Sequence, residues 1–372
     1  YLGLFWAAAG WIFGRVNLIG NGLTFFPFLI VSMEWIRSFG ALGFPWGNIV
    51  LSQLEFLPLI QIMEVTGSYG VTLWVSLLNV ILYILIQKFE PNKKLGLFIF
   101  TFLLGLWFSG KSRMKEFNQS NRVLEVGILQ PNIDPNAKWD FEMKTETIAY
   151  MDSLHGEAIL LNPDMIVFPE TAYPAYLRLN RTVRKMIQSK VDSSAIPVLT
   201  GTIDRTKSAT GDKQYFNSSM FFTPNHSYYL YNKLHLVPFA EYIPFSTQIP
   251  SLKNLNFGQG NFTHGTEYTV FECDSTHFSN LICYESSIPK LVSQFVKNGA
   301  EMISIQTNDG WLGNSAGPYQ HYDIARIRAI ENRVPIVRSA NTGISGLILA
   351  NGISSNEQIL GEMAVFKVSV PL

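Results

Sequence analysis

Long apolar runs dominate the first third of the chain. The clearest covers residues 66–86, and a shorter run over residues 95–109 has lysines near both ends. A bilayer core about 30 Å thick needs about 20 apolar residues in a helix, and flanking lysines can extend their ammonium groups toward the headgroups. The two runs therefore predict a hairpin of membrane-spanning helices.

An earlier apolar run over residues 22–33 continues directly into Glu34 and Arg37. An acid and a base three positions apart lie on one face of a helix, so this charge pair is expected near a membrane interface or inside a helical bundle. Residues 1–14 are also apolar, but they lack an initial Met and a basic leader, so they are not a signal peptide. They predict the end of a helix whose beginning is missing.

Basic residues are unevenly distributed among the short loops of this region. Lysines are concentrated in the loop over residues 87–94, whereas residues 40–65 contain no Lys or Arg. Because short cytoplasmic loops concentrate Lys and Arg, the loop over residues 87–94 and Arg15 are predicted on the cytoplasmic side. The segment that follows residue 109 is then expected on the other side of the membrane.

After residue 122 the pattern changes to short apolar runs that are typical of strands. The predicted strands cover residues 123–129, 165–168, 197–200, 219–222, 279–283, 302–306, 336–338 and 346–349. The predicted helices cover residues 140–160, 181–189, 288–298 and 320–332. Strands that alternate with helices predict a layered α/β domain. We therefore expect a transmembrane helical domain over residues 1–115 and an extracytoplasmic domain over residues 121–372.

Composition narrows the possible partners and chemistry. The 28 Lys and Arg residues balance 28 Asp and Glu residues, and charged residues make up 15% of the chain, against about 25% in typical soluble domains. A chain without a basic excess is a poor partner for nucleic acid, so none is expected. With two cysteines and no metal-binding or phosphate-binding motif, any reaction is expected to use ordinary side chains without a metal or cofactor.

Three chemically distinctive side chains lie at the ends of strand-like segments. Glu170 follows an apolar run, Cys283 ends another, and Lys233 lies in the segment over residues 231–242. In layered α/β folds, catalytic groups gather outside the carboxyl ends of strands, where loops expose them. An acid, an amine and a thiol in such places indicate a base, an electrostatic partner and a nucleophile.

Each of these side chains also has an ordinary interpretation. A lone cysteine is usually a small buried hydrophobe, and a lone Glu or Lys usually lies in solvent. A Cys–His pair with His235 or His321 as the base is another alternative. His321 follows a Pro-Tyr-Gln turn, where helix capping or a substrate contact explains a histidine equally well.

Several separated motifs resemble the Glu-Lys-Cys signature of the nitrilase, or carbon–nitrogen hydrolase, superfamily. The motifs that carry this resemblance lie at residues 168–170, 233–242 and 282–285. Segments similar to the substrate-side loop and following helix of the superfamily lie at residues 307–313, 317–321 and 329–333. With residues 34–37 and 43–46 of the apolar region included, nearly the whole chain resembles the apolipoprotein N-acyltransferases of this superfamily.

This resemblance implies a multi-helix transmembrane domain followed by an α/β nitrilase-type αββα sandwich. It implies a multi-pass monomer of the bacterial inner (plasma) membrane, whose catalytic domain faces the periplasm. The implied acyl donor is a membrane phospholipid, the acceptor is a diacylated apolipoprotein, and no cofactor is involved. Because the family ordinarily continues into a last transmembrane helix beyond Leu372, and the first apolar run lacks its beginning, the chain is expected to be truncated at both ends.

The resemblance also assigns a mechanism. Cys283 would attack an ester of the phospholipid, with Glu170 as its general base. Lys233 and the backbone N–H of Tyr284 would stabilise the oxyanion, and an acyl thioester would remain on Cys283. The N-terminal amino group of diacylglyceryl-cysteine would then attack this thioester and form an amide.

Further residues are expected to support or border this site. Glu241 and Glu285 match positions that support the lysine and the nucleophile, although an ordinary carboxylate is an equal alternative for Glu285. Arg338 is predicted to be a buried ion-pair partner rather than a phosphate clamp, and Cys273 is predicted to be a free thiol. The candidates for substrate binding are Trp46, Trp139, Trp311 and His321.

Two rival functions remain open at this point. A membrane-anchored amidase of the nitrilase type would use the same three groups and would pass the acyl group to water. A non-catalytic lipoprotein-binding protein would have no need of Glu170, Lys233 and Cys283 together.

Overall fold

A computed structural model describes residues 2–88, 93–116, 122–246, 248–249, 251–252 and 261–372. The chain divides into two compact units, Tyr1–Gln119 and Ser120–Leu372. Some sequence predictions fall partly outside the described residues: the side chain of Lys88 and residues 89–92 of the basic loop, and the domain ends at residues 1 and 121.

The first unit is helical over most of its described residues. Its helices are α1 (Leu2–Leu18), α2 (Gly22–Arg37), a 3-10 helix at Ile49–Phe56, α3 (Leu57–Ile60), α4 (Met63–Lys88) and α5 (Lys93–Glu116). Among the described residues, two helices are long and apolar enough to cross a membrane, with mean hydropathies of 2.0 over Met63–Gln87 and 1.5 over Lys93–Lys115. Both spans predicted from the sequence lie within these two helices.

Helix α4 contains a break near its beginning. Gly67 has φ +64° and ψ −179°, a conformation that residues with a side chain rarely adopt. The glycine therefore lets the chain change direction between a short first segment and the long apolar segment. The predicted span over residues 66–86 lies in the segment after this break except for its first two residues.

The charged residues of α2 lie inside the helical unit. Glu34 is buried and accepts hydrogen bonds from Ile49 N at 2.7 Å and from Thr72 Oγ1 at 2.8 Å. Arg37 is also buried and donates to Asn48 Oδ1 at 2.6 Å. Buried polar groups need such partners, so these side chains connect α2 to α4, to Asn48 of the following loop and to the start of the 3-10 helix at Ile49.

The second unit contains two six-stranded sheets within its described residues. One sheet comprises β1 (Val123–Gln130), β2 (Met165–Val167), β3 (Val198–Lys207), β4 (Lys213–Thr223), β5 (Ser227–Asn232) and β12 (Ala364–Pro371), in the order β12-β1-β2-β3-β4-β5. The other comprises β6 (Phe271–Cys273), β7 (Thr276–Ile282), β8 (Met302–Thr307), β9 (Ile336–Ala340), β10 (Gly346–Ile348) and β11 (Ser354–Ser355), in the order β11-β10-β9-β8-β7-β6. The accompanying helices are α6 (Phe141–Leu160), α7 (Arg181–Ser194), α8 (Pro289–Lys297) and α9 (Gly317–Asn332).

Alternate residues of the central strands face two different cores. In β2, Met165 and Val167 pack between the sheets, whereas Ile166 and the following Phe168 pack beneath α6 and α7. This alternation follows from the two-residue period of a strand. Helices α8 and α9 cover the second sheet through a further set of buried residues: Leu291, Phe295, Tyr322, Ala325 and Ala329. The layers are therefore helices, sheet, sheet and helices, as the resemblance to the nitrilase superfamily implies.

A buried polar cluster joins the two sheets below the ends of β2 and β7. Ser219 Oγ donates to Gln306 Oε1 at 2.5 Å, and Asn280 Nδ2 donates to Ser219 Oγ at 2.7 Å. Gln306 Nε2 donates to the carbonyl oxygen of Phe168 at 2.6 Å. The parallel strands β1 to β3 form the centre of one sheet, and β7 to β9 form the centre of the other. The cluster therefore holds the carboxyl ends of the central strands of one sheet against those of the other.

The bounds of several elements differ from the sequence prediction. β3 and β4 pair over ten positions, from Val198 opposite Phe222 to Lys207 opposite Lys213, well beyond residues 197–200 and 219–222. The predicted strands do not include β5, β6, β11 or β12. Polar residues interrupt these strands, and their pairing partners rather than an apolar run stabilise them.

Candidate active site

Cys283 lies directly after β7, at the first position of a 3-10 helix over Cys283–Ser287. Its φ is +51°, in the left-handed region that is uncommon for a non-glycine residue. The strand end and the sharp turn set the direction of the side chain, which is half-buried. Such a strained turn at the end of a strand is a typical position for a nucleophile.

Glu170 lies two residues after Phe168, where the chain leaves β2. Its side chain is buried, and the next residue, Thr171, has φ +45°. This turn crosses β3 at Gly201, where a Cβ atom would lie 2.4 Å from Thr171 N and 2.6 Å from Glu170 Cα. Only glycine fits this close approach, so Gly201 sets the position of Glu170, a role that the sequence pattern does not indicate.

Lys233 follows β5 and is only 1% exposed. Its Nζ lies 2.9 Å from Glu241 Oε1, 2.8 Å from Glu241 Oε2 and 3.9 Å from Glu170 Oε1. Burial alone would lower the pKa of Lys233, but the Glu241 and Glu170 carboxylates raise it above its ordinary value. The side chain is therefore a fixed ammonium at neutral pH and not a proton acceptor.

Asn217 of β4 connects the two carboxylates beside this ammonium. Its Nδ2 donates to Glu170 Oε1 and to Glu241 Oε1, each at 2.8 Å, and its main-chain carbonyl oxygen accepts from Lys233 N at 2.9 Å. Glu241 Oε2 also accepts from Val237 N at 2.8 Å. The sequence prediction omits Asn217, because a lone Asn in a strand gives no motif.

Glu285 connects the nucleophile turn to the segment that carries the lysine. Its Oε1 accepts from Tyr231 Oη and Leu234 N at 2.7 Å and from His235 N at 3.1 Å, and its Oε2 accepts from Ile282 N at 2.8 Å. Burial raises the pKa of Glu285 to about 7, although Lys233 and these hydrogen bonds oppose the rise. The side chain is fully buried. Its hydrogen bonds fix the nucleophile turn and the lysine-bearing segment relative to each other.

We expect Glu285→Gln to destabilise this turn by about 1–3 kcal/mol. The amide nitrogen of Gln would face an N–H or O–H group that donates to the Glu285 carboxylate in the native chain. Leaving such a buried donor without an acceptor costs free energy of this size. Thermal unfolding of the solubilised chain checks this, with Glu272→Gln at an exposed position of β6 as the matched control. Equal unfolding temperatures for the two variants would contradict the expectation.

A second buried network lies behind the nucleophile turn. Asp309 Oδ2 accepts from Arg338 Nη2 at 2.5 Å, and Asp309 Oδ1 lies 2.7 Å from His321 Nδ1. His321 Nε2 lies 3.1 Å from the carbonyl oxygen of Cys283 and 2.9 Å from Ser286 Oγ. Burial alone would raise the pKa of Asp309, but Arg338 and His321 hold it at about 2. The prediction that Arg338 is a buried ion-pair partner is confirmed.

This network also bears on metal binding. The ligand atoms of Cys283, Asp309 and His321 lie within 4.8 Å of one another, and this is the one such group among the described residues. The guanidinium of Arg338 already neutralises Asp309, and a second cation beside it would be repelled. The arrangement therefore fits a structural ion pair better than a metal site.

We expect Asp309→Asn to lower the free energy of unfolding by about 3–5 kcal/mol, because it leaves the buried Arg338 charge unpaired. The Asp309 pKa of about 2 in the folded chain lies below its ordinary 3.8. The stabilisation of the folded chain by ionised Asp309 is therefore present above pH 3.8 and is lost as the pH falls through about 2. Thermal unfolding across this pH range checks the prediction, and Asp140→Asn, which lacks a side-chain cap bond, is the control. A difference in unfolding temperature between the Asp309→Asn variant and the native chain that stays constant with pH would contradict the prediction.

The remaining candidates occupy different parts of the structure. Trp139 and Trp311 are 40% and 47% exposed in the second unit, so both rings are accessible from solvent. His321 is 1% exposed, and its two ring nitrogens contact Asp309 and the Cys283 carbonyl oxygen in the network above. Trp46 belongs to the first unit, where its ring stacks on Phe44 at 6.0 Å.

The cysteines are both free thiols. Cys273 lies in β6 and is buried, and burial together with Asp164 and Asp274 raises its pKa to about 12. A buried thiol of this kind is inert. Cys273 is therefore a residue of the hydrophobic core.

The two packed sheets and the Glu, Lys and Cys groups at their carboxyl ends define a nitrilase-type domain, and residues 125–365 match the carbon–nitrogen hydrolase family. Similar solved structures include a carbon–nitrogen hydrolase from Helicobacter pylori, with a TM-score of 0.52, 14% identity, and 67% and 89% of the two chains covered. A Nesterenkonia amidase of the nitrilase superfamily gives a TM-score of 0.51 at 15% identity, with 67% of this chain and 90% of the amidase covered. These likenesses establish the fold.

Residues 1–81 match the N-terminal domain of apolipoprotein N-acyltransferase. A relative of that name from Geobacter metallireducens is 33% identical, with 95% of this chain and 69% of the relative covered. Relatives of the same name from Chlorobaculum tepidum and Brucella melitensis are 32% and 31% identical, and the chain spans 72% and 70% of their lengths. The chain belongs to the apolipoprotein N-acyltransferase family, which confirms the resemblance seen in its motifs.

Proposed function

We propose that this chain transfers a fatty acyl group from a membrane phospholipid, through a thioester on Cys283, to the N-terminal amino group of diacylglyceryl-cysteine on an apolipoprotein. The name shared by its relatives supports the class of acceptor. The observation that carries the proposal is the placement of Glu170, Lys233 and Cys283 where the chain leaves β2, β5 and β7, with the Lys233 ammonium 3.9 Å from the Glu170 carboxylate. Together they supply a base, a fixed cation and a nucleophile for acyl transfer.

Cys283 requires a base in this reaction. Burial raises the pKa of its thiol to about 12, with Glu170 adding to the rise and Lys233 opposing it. The resting side chain is thus protonated at neutral pH, whereas the thiolate is the effective nucleophile. Burial also raises the pKa of Glu170, while Lys233 lowers it. Glu170 is therefore suited to take the thiol proton as the sulfur attacks.

Lys233 and Tyr284 would stabilise the negative oxygen of the tetrahedral intermediate. The Lys233 ammonium is held in place by Glu241, so it needs no reorganisation during the reaction. The backbone N–H of Tyr284 directly follows the nucleophile along the chain. Each well-placed donor of this kind contributes about 3–4 kcal/mol.

Both halves of the reaction balance without a cofactor. In the first, the sulfur–carbon bond forms, the ester carbon–oxygen bond breaks, and the thiol proton passes through Glu170 to the leaving lysophospholipid oxygen. In the second, the acceptor nitrogen bonds to the thioester carbon and the carbon–sulfur bond breaks. A proton passes from the amine through Glu170 to the Cys283 sulfur, which regenerates the thiol.

We place residues 1–115 in a multi-pass membrane domain and residues 121–372 in a periplasmic domain, in the bacterial inner membrane. Helices α4 and α5 support the first assignment by their length and hydropathy, and the match of residues 1–81 agrees with it. Attachment to lipid also has a chemical reason, because water would hydrolyse a thioester in an open site. The proposed catalytic groups lie on a single chain, so we propose that a monomer is sufficient.

Basic residues at the end of α5 oppose this orientation, because Lys111, Arg113 and Lys115 would lie on the periplasmic side. Two of these three have local partners. Arg113 pairs with Glu64, and the Lys111 ammonium lies 5.2 Å from the centre of the Trp107 ring. A paired or ring-bound cation is partly compensated where it lies. The lysines of the loop over residues 87–94 therefore decide the proposed orientation.

One experiment tests the proposed reaction. The solubilised chain is incubated with phospholipid, the Cys283 peptide is examined by mass spectrometry, and a diacylated lipopeptide is then added. An acyl thioester that becomes an amide on the lipopeptide is the expected result. Release of free fatty acid alone would favour an amidase-like hydrolase, and a Cys283 that never acquires an acyl group would overturn the proposal.

A further inference from the structure

Lys138 is a second buried lysine near the proposed base. It lies in a 3-10 helix over Ala137–Trp139, after β1, and its side chain is 3% exposed. Its Nζ donates to the carbonyl oxygen of Thr171 at 2.9 Å and to Thr171 Oγ1 at 2.8 Å. Thr171 directly follows Glu170 and has a left-handed φ. Lys138 thus holds the strained turn that presents Glu170.

The charges around Glu170 give this lysine a second role. Lys233 lies within 2.9 Å of both Glu241 oxygens but 3.9 Å from Glu170, so its charge is directed mainly at Glu241. Asn217, which donates to Glu170 at 2.8 Å, is neutral. With only one ammonium, two adjacent buried carboxylates would compete for it, and one of them would become protonated.

Lys138 adds a second positive charge near Glu170. Burial and Glu241 raise the pKa of Glu170, whereas Lys233 and, to a smaller extent, Lys138 lower it. Burial lowers the pKa of Lys138 itself to about 8, with Glu170 opposing the change. The amine is therefore still mainly charged at neutral pH. A buried ammonium costs several kcal/mol without an opposite charge nearby, and Glu170 is such a charge.

We propose that Lys138 is a positioning residue for acyl transfer, which fixes the turn at Glu170 and keeps the Glu170 carboxylate ionised beside Glu241. This inference rests on the proposed role of Glu170 as the base. The titratable groups that act on Glu170 from the surrounding elements are then two ammonium groups, one carboxylate and one thiol: Lys138, Lys233, Glu241 and Cys283.

Charge and hydrogen bonding at this position can be separated by substitution. Lys138→Gln keeps donors for Thr171 but removes the charge, whereas Lys138→Arg keeps the charge. Lys185→Gln makes the same change at an exposed position of α7 and serves as the control. Each full-length variant is solubilised, checked by thermal unfolding, and assayed across the pH range around neutrality. The measurements are alkylation of Cys283 by iodoacetamide and acyl-enzyme formation from phospholipid.

We expect Lys138→Gln to move the acid limb of both pH profiles to higher pH by about one unit, the lower end of what a nearby opposite charge produces. Without Lys138 more of Glu170 is protonated at a given pH, so kcat falls near neutrality while KM changes little. Lys138→Arg and the control should keep the native limb. An unshifted limb in folded Lys138→Gln, or an equal shift in Lys138→Arg, would overturn the proposal.

A second variant guards against misfolding of Lys138→Gln. Thr171→Val removes one of the two acceptors of the Lys138 ammonium without burying a new polar group. We expect the acid limb to move in the same direction as in Lys138→Gln, but by less. An acid limb that does not move would contradict the proposed role of Lys138. Alkylation needs no lipid, so it reports on Glu170 and Cys283 even where no acyl enzyme forms. A native chain that alkylates but never acylates would therefore contradict the proposed function and leave the test of Lys138 intact.

Discussion

Replacing Cys283 by Ala is expected to abolish the acyl enzyme and to lower acyl transfer by about 10⁴-fold or more, the scale seen when a covalent nucleophile is removed. In the proposed mechanism the sulfur forms the bond that splits the reaction into two steps, and no neighbouring group replaces it. The turn at Cys283 is held by contacts of Glu285 with Ile282 N and of His321 with the Cys283 carbonyl oxygen, so the variant is expected to fold. Mass spectrometry of the acyl enzyme and amide formation on a lipopeptide check the prediction.

Cys273→Ala is the matched control for this variant. Its thiol lies in β6 and packs in the core between the sheets, so activity should stay close to that of the native chain. Substantial transfer by Cys283→Ala would contradict the assignment of the nucleophile. A disulfide between the two cysteines in active protein, found by thiol counting without reductant, would contradict it as well.

Replacing Glu170 by Gln is expected to lower both half-reactions by about 10²–10⁴-fold, the usual contribution of a general base. The amide keeps the size of the side chain and an oxygen that can accept from Asn217, but it cannot take a proton. In the native chain activity should fall as the pH falls through the raised pKa of Glu170, because the protonated form is no base. This acid limb should disappear in the variant. Rates of acyl-enzyme formation across the pH range check both expectations.

Glu272→Gln provides the control, because Glu272 is an exposed residue of β6. It should keep both the rate and the acid limb. Near-native turnover by Glu170→Gln would mean that another group is the base. Loss of activity with the acid limb retained would mean that a different group titrates in that range.

The sequence predicts the elements whose residues are apolar in a regular pattern. The long runs in α4 and α5 need no partner to be recognised, because a membrane span depends on length and hydropathy alone. The strands β1, β2, β7, β8 and β9 are recognisable because they are buried on both faces. The hairpin of β3 and β4 extends over polar residues, and its length depends on pairing between distant parts of the chain.

In the candidate site, too, the sequence does not predict contacts between residues that are distant along the chain. The motifs around Glu170, Lys233 and Cys283 are visible in the sequence, and their catalytic roles stay predictions. Asn217 and Lys138 give no motif, yet both contact the segments that carry these groups. Their partners lie 47 and 33 positions away along the chain, so only folding brings them together.

The sequence by itself determined the family of this protein and the two apolar spans, and it predicted which three groups react, because these depend on local composition and on the order of short motifs. The tertiary structure decided which charges balance one another. Lys233 pairs closely with Glu241 rather than with Glu170, and Lys138 lies against the turn at Glu170. Electrostatic energies depend on distance and burial, and neither quantity can be deduced from the spacing of residues along a chain.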